Sequence, residues 1–128
     1  AGHLSDNPHV SMHFPWFSMQ RQVTILGEVT KVEDSLAEEY FLSRPYLSRI
    51  GAWASQQSQP LDSRESLEKS FLQAQDKYGE NPPRPPHWGG YYLHPRSLEF
   101  WQGGPNRLHD RFLYQQTDEQ WKITRLNP

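Results

Sequence analysis

Trp101-Gln-Gly-Gly-Pro-Asn-Arg-Leu-His-Asp-Arg-Phe112 is the stretch that decides how this chain is read. Gly103, Gly104, Pro105 and Asn106 gather turn-forming residues between two apolar runs, which predicts a β-hairpin tip with a strand on each side. Side chains alternate faces along a strand. Arg107, His109 and Arg111 then fall on one face, and Leu108, Asp110 and Phe112 on the other. Two fixed positive charges flanking an imidazole repel unless an anion or a polar group lies over them. Trp101 adds a flat apolar surface. An aromatic plane beside Arg-His-Arg is what a phosphorylated or anionic ring compound needs. A solvated, charged hairpin tip is the alternative that spacing alone leaves open.

Working outward, Val10–Trp16 and Gln22–Val32 predict two strands, with Gly27 as a bulge or close-approach point. Ser35-Leu36-Ala37-Glu38 has capping-box spacing for a helix to about Ser43, which Pro45 should end. Tyr46–Ser55 predicts a second helix. Asp62-Ser63-Arg64-Glu65 offers a cap for a third, in which Leu67, Phe71, Ala74 and Tyr78 recur at helical spacing and Gly79 stops the run. Glu80–Pro86 is an extended connector, with an SH3-type ligand as the functional alternative. Gly89–Leu93, Ser97–Gln102, Arg111–Gln116 and Gln120–Leu126 predict four short strands. The order suggests an α+β domain on an antiparallel sheet or barrel.

The 13 basic and 15 acidic residues nearly balance, so no positive field favours nucleic acid. No cysteine is present, which removes disulfides, thiolate metal sites and a Cys nucleophile. That fits a reducing compartment, and a cytoplasmic location is expected. Apolar runs are too short to span a membrane as helices. His3, His9 and His13 invite a metal reading, but four residues of strand span roughly 13 Å, too far for one ion. No metal is expected. Tyr40, Arg44 and Ser48, spaced by four, would offer two hydroxyls and a guanidinium to a phosphate from one helical face. Spacing alone favours an ordinary amphipathic helix, and Pro45 argues against a continuous helix. Gln56-Gln57-Ser58-Gln59 follows the second helix as a polar loop whose amides suit a heterocycle edge.

Several segments in chain order carry a resemblance: Asn7-Pro8-His9-Val10-Ser11, Phe14-Pro15-Trp16, Arg21-Gln22-Val23, Ser43-Arg44-Pro45, Ile50-Gly51-Ala52-Trp53 and Gln57-Ser58. Trp88-Gly89-Gly90, Glu99 to Gly104, Arg107 to Phe112 and the closing Arg125-Leu126-Asn127-Pro128 complete it. Together they resemble the C-terminal part of the pyridoxamine 5′-phosphate oxidase family, in which the tail is usually Arg-Leu-Ala-Pro. The resemblance implies an FMN-binding split β-barrel and a homodimer with FMN at the subunit interface. It implies oxidation of pyridoxamine or pyridoxine 5′-phosphate to pyridoxal 5′-phosphate, with hydride passing from C4′ to flavin N5 and O2 as acceptor. Position by position, Gln22, Gln57, Ser58, Trp101 and Arg111 match FMN contacts. Tyr40, Arg44 and Ser48 match holders of the substrate phosphate, and Arg107 and His109 match the catalytic pair beside the pyridoxyl ring. Arg107 would steady the anionic ring oxygen, and His109 would hydrogen-bond near C4′ or exchange a proton.

Family members carry an upstream segment with the first barrel strands, an Arg-x-x-Leu-Leu-Lys motif, a Tyr-Thr pair and an Arg-Lys pair. None of these occurs here. The expectation is therefore an incomplete barrel, one partial domain over residues 1–128, that keeps much of the substrate site and holds FMN weakly or not at all. The alternatives are a non-catalytic binder of pyridoxal 5′-phosphate or FMN, and a poorly folding product with exposed strand edges.

Overall fold

A computed structural model describes residues 2–118 and 120–128. Their order is α1 (Gly2–Asp6), β1 (His9–Trp16), β2 (Arg21–Lys31), α2 (Asp34–Ser43), α3 (Tyr46–Ala54), α4 (Arg64–Tyr78), β3 (Tyr91–Gln102), β4 (Asp110–Gln116) and β5 (Trp121–Arg125). The chain divides into two compact units, one of Ala1–Thr30 with Tyr91–Pro128, the other of Lys31–Gly90.

The first unit is a five-stranded sheet in the order β1-β2-β3-β4-β5. Two edges remain, so the sheet is an open portion of a split barrel, in keeping with the α+β reading. Met12 faces Ile25 and Phe14 faces Val23 across the β1–β2 ladder. Phe14 and Trp16 stack at 6.1 Å. Gly27 is a close-approach point: a Cβ there would lie 2.2 Å from the His94 carbonyl oxygen. The two strands expected over residues 89–102 form one, running through Pro95. The ladder with β4 begins at Ser97, so the N–H that proline lacks is not required by it. α1 is a short helix that no periodicity announced.

In the second unit the helices follow their local signals, with one exception. α2 ends at Ser43 because the residue before proline is driven out of the α region, and Arg44 sits at φ −74, ψ 150. Its start differs from the capping box. Glu33, extended, is the N-cap and makes no side-chain capping bond, while Ser35 already lies inside the helix. α4 starts as expected, with the Ser63 hydroxyl accepting the Ser66 N–H at 3.1 Å. It ends at Gly79, whose φ of 56 suits glycine. Phe41 and Ile50 have no accessible surface, Ala37 and Ala74 are buried, and Pro82 and Pro85 of the connector are buried too, so these residues make up the unit's core. Trp53 stacks on Tyr78 at 4.3 Å and donates its indole N–H to the Pro83 carbonyl. Glu80–Pro86 is thus an ordered, irregular strap within the unit.

Candidate functional site

The sheet unit holds a cleft of about 360 Å³ between the β1–β2 turn and the β3–β4 connection. Trp16, Phe17 and Trp101 give it flat apolar surface, and Gln22, Arg21 and His109 give it polar groups. Gln102 ties the two connections together. Its carbonyl oxygen accepts from Arg21 Nε, and its amide nitrogen donates to the carbonyls of Met19, Gln20 and Gly103. The Gly103 N–H also donates to the Gln20 carbonyl at 2.8 Å. The volume falls within the range of small-molecule clefts, and the three aromatic rings offer it flat surface.

The segment entering β4 departs from the alternating strand expected of it. Pro105–Arg107 is a 3-10 turn, and the strand starts only at Asp110. Asn106 and Arg107 take left-handed φ values of 56 and 63, which breaks the alternation of faces. Arg107 therefore lies in the turn and His109 in the link between turn and strand, and only Arg111 lies on the strand. His109 packs on Trp101 with ring centroids 4.8 Å apart, and its Nδ1 accepts the Gly104 N–H at 3.2 Å. In the neutral ring that bond puts the proton on Nε2, leaving Nε2 as a donor. Gly104 is extended at φ −130, yet a Cβ there would lie 2.2 Å from the Leu108 carbonyl oxygen.

Arg111 is engaged by its own chain. Nε and Nη2 donate to the two Glu99 carboxylate oxygens at 2.8 and 3.1 Å, and Nη1 donates to the Asn127 carbonyl at 3.1 Å. The hydrogen bonds to Glu99 hold its guanidinium above the usual value, against a smaller opposing effect of desolvation.

In the helical unit, Trp88 collects the phosphate-site candidates. Tyr40 stacks on it at 6.0 Å, Phe41 meets it edge-on at 5.1 Å, and the Arg44 guanidinium lies 5.2 Å from its ring centroid. Arg44 Nη1 is buried without a hydrogen-bond partner, as is Arg49 Nε. Ser48 lies in the first turn of α3, after the break at Arg44–Pro45. Arg84, in the strap, donates to Asp34 at 2.7 Å, to Glu38 at 3.1 Å and to the Trp88 carbonyl. Gln57 and Ser58 are exposed in the loop after α3, where Ser58 takes a left-handed φ of 64.

The structure thus brings Gln22, Trp101 and His109 to one cleft and Tyr40 and Arg44 to one indole. Trp88, Arg84, Arg49 and Gln102 escaped assignment from the residues themselves. The visible signal was Arg84, a lone cation among prolines. His9 faces Glu28 and His13 bonds Thr24, and among the described residues no group of His, Asp or Glu is arranged to hold a metal. No helix among them is long and apolar enough to cross a membrane.

Residues 1–78 match the family described as Pyridoxamine 5′-phosphate oxidase, and residues 88–128 match the Pyridoxine 5′-phosphate oxidase C-terminal dimerisation region. A pyridoxine/pyridoxamine 5′-phosphate oxidase of Paraburkholderia phymatum is 54% identical over 126 residues, covering 98% of this chain and 59% of that protein. The crystal structure of PhzG from Burkholderia lata 383, in complex with tetrahydrophenazine-1-carboxylic acid, has a TM-score of 0.89 at 31% identity, over 98% of this chain and 61% of that one. A pyridoxamine 5′-phosphate oxidase-related, FMN binding protein from Nostoc punctiforme PCC 73102 shares the fold, with a TM-score of 0.65 at 14% identity over 99% of this chain and 66% of its own. The chain spans about three fifths of the length of the curated relatives it matches. With a family match over its first 78 residues and a related C-terminal match following in order, the chain belongs to the pyridoxamine 5′-phosphate oxidase family.

Proposed function

We propose that this chain serves in FMN-dependent oxidation of pyridoxamine or pyridoxine 5′-phosphate to pyridoxal 5′-phosphate, with O2 as acceptor. The observation that carries the phosphorylated substrate is Arg44. Its Nη1 is buried and unpartnered, while its guanidinium and the Tyr40 ring both lie against Trp88, an arrangement that an anion completes. The sheet cleft fits a flavin ring: Trp16, Phe17 and Trp101 supply flat surface, and the Gln22 amide supplies hydrogen bonds to a heterocycle edge. FMN, when bound, supplies a two-electron acceptor for the substrate hydride. Arg107 is assigned to the anionic ring oxygen of the substrate. His109, with Nδ1 occupied by Gly104, is assigned to hold a proton at Nε2 near the reacting carbon. Ser48 joins Tyr40 and Arg44 on the phosphate, and Gln57, Ser58 and Arg111 join Gln22 and Trp101 on the cofactor. The match to a dimerisation region supports a homodimer as the working assembly.

A second reading, a non-catalytic binder of pyridoxal 5′-phosphate, draws on Arg111. Glu99 and Asn127 already hold that guanidinium, which weakens its attraction for a cofactor anion. Oxygen uptake by the chain with saturating FMN separates the two. Uptake coupled to pyridoxal 5′-phosphate formation, with pyridoxamine inert, supports the oxidase. Phosphate-dependent binding without uptake supports the binder. Uptake indifferent to the 5′-phosphate, or driven instead by a reduced phenazine carboxylic acid, overturns the substrate assignment.

A further inference from the structure

A guanidinium that must receive a phosphate has to be held still without using up its donors. Arg44 meets that requirement against Trp88. The indole lies 5.2 Å from the guanidinium carbon, within range for a cation–π contact, and a ring face offers attraction without accepting an N–H in place of a ligand. Nη1 stays unpartnered. Trp88 is itself fixed from three sides. Phe41 meets it edge-on, the Trp88 N–H donates to the Pro85 carbonyl at 3.0 Å, and Arg84 donates to the Trp88 carbonyl. The same Arg84 guanidinium grips Asp34 and Glu38, one turn apart on α2. The helix whose first half holds Arg84 is therefore the helix whose last residues, Tyr40 and Phe41, pack on Trp88.

We propose that Trp88 is a positioning residue for the phosphate-binding Arg44, with Arg84 setting its place through the proline-rich strap. This rests on the reading of Tyr40, Arg44 and Ser48 as a phosphate site. A positioning role predicts an effect selective for the phosphate, whereas general loosening of the unit weakens every ligand alike.

The test is calorimetric titration of the full chain with pyridoxine 5′-phosphate and, separately, with pyridoxine, which lacks the phosphate. Trp88→Leu should raise the Kd for pyridoxine 5′-phosphate about tenfold, the scale of a partly desolvated cation–π contact, and leave pyridoxine unchanged. Trp88→Phe, which keeps a ring, should restore most of the phosphate preference, and Arg84→Met should lose part of it. A preference that survives Trp88→Leu overturns the inference, as does equal weakening toward both ligands in Trp88→Phe. Lack of any phosphate preference in the unsubstituted chain overturns the phosphate site itself and this inference with it.

Discussion

Substituting alanine for Gly104 tests whether space, rather than backbone conformation, requires glycine at the turn before β4. The residue is extended, so any amino acid tolerates its φ of −130. A Cβ, however, would stand 2.2 Å from the Leu108 carbonyl oxygen. An ordinary carbon–oxygen contact is about 3.3 Å, so the two segments must part by about 1 Å. That movement takes the Gly104 N–H beyond bonding reach of His109 Nδ1, already 3.2 Å away. Forced packing costs about 1–3 kcal/mol and the lost hydrogen bond about 0.5–1.5, so the expected destabilisation is about 1.5–4.5 kcal/mol. Urea denaturation followed by tryptophan fluorescence should show the midpoint falling by about 1–2 M for a slope near 2 kcal/mol per molar. Since His109 moves with the turn, turnover should fall on the order of a hundredfold. Gly89→Ala is the control, because a Cβ there meets nothing within 4 Å. Equal urea midpoints for the two variants would refute the steric argument.

Phe41→Ala empties a fully enclosed site on α2 and should cost about 3–5 kcal/mol, read from the same denaturation curves. Ser63→Ala should cost about 1 kcal/mol by removing the α4 cap, whereas Ser35→Ala should leave the midpoint nearly unchanged because no cap bond forms there. The Glu65 carboxyl is held below its ordinary value of 4.5 by its own backbone N–H and by the Ser63 hydroxyl. A depressed folded-state value means that its stabilisation is present above 4.5 and is lost as pH falls through the lower folded value. Thermal melts across that range should show Glu65→Gln less stable than the unsubstituted chain at neutral pH, with the gap closing in acid.

Local chemistry was legible where a residue acts on its immediate neighbours. Pro45 ended α2, Ser63 capped α4, Gly79 stopped it, and Gly27 marked the approach of β2 to β3. Misreadings arose where a neighbour in space, or a competing local backbone preference, decides. Pro95 sits inside β3 because the β4 ladder begins two residues later. Ser35 does not cap because Glu33, two residues earlier, already occupies the extended N-cap position. The Arg107–His109–Arg111 alternation failed because two successive left-handed residues turn the chain before the strand begins. For the site, the residues alone suggested an anion, and the resemblance supplied the assignments. The role of Trp88 was illegible, since its partners Tyr40, Phe41 and Arg44 lie more than forty positions away in the sequence.

Arg107, held at φ 63, has an engineering consequence. Side chains other than glycine resist this backbone region, at roughly 1–2 kcal/mol for an L-residue. Glycine would relax the position, so a library screened for heat resistance alone should enrich Arg107→Gly. Each such winner would melt later while lacking the guanidinium assigned to the substrate ring. At this residue, selection for durability and selection for turnover favour different amino acids, and a thermostabilised form of this chain should be built with position 107 held constant.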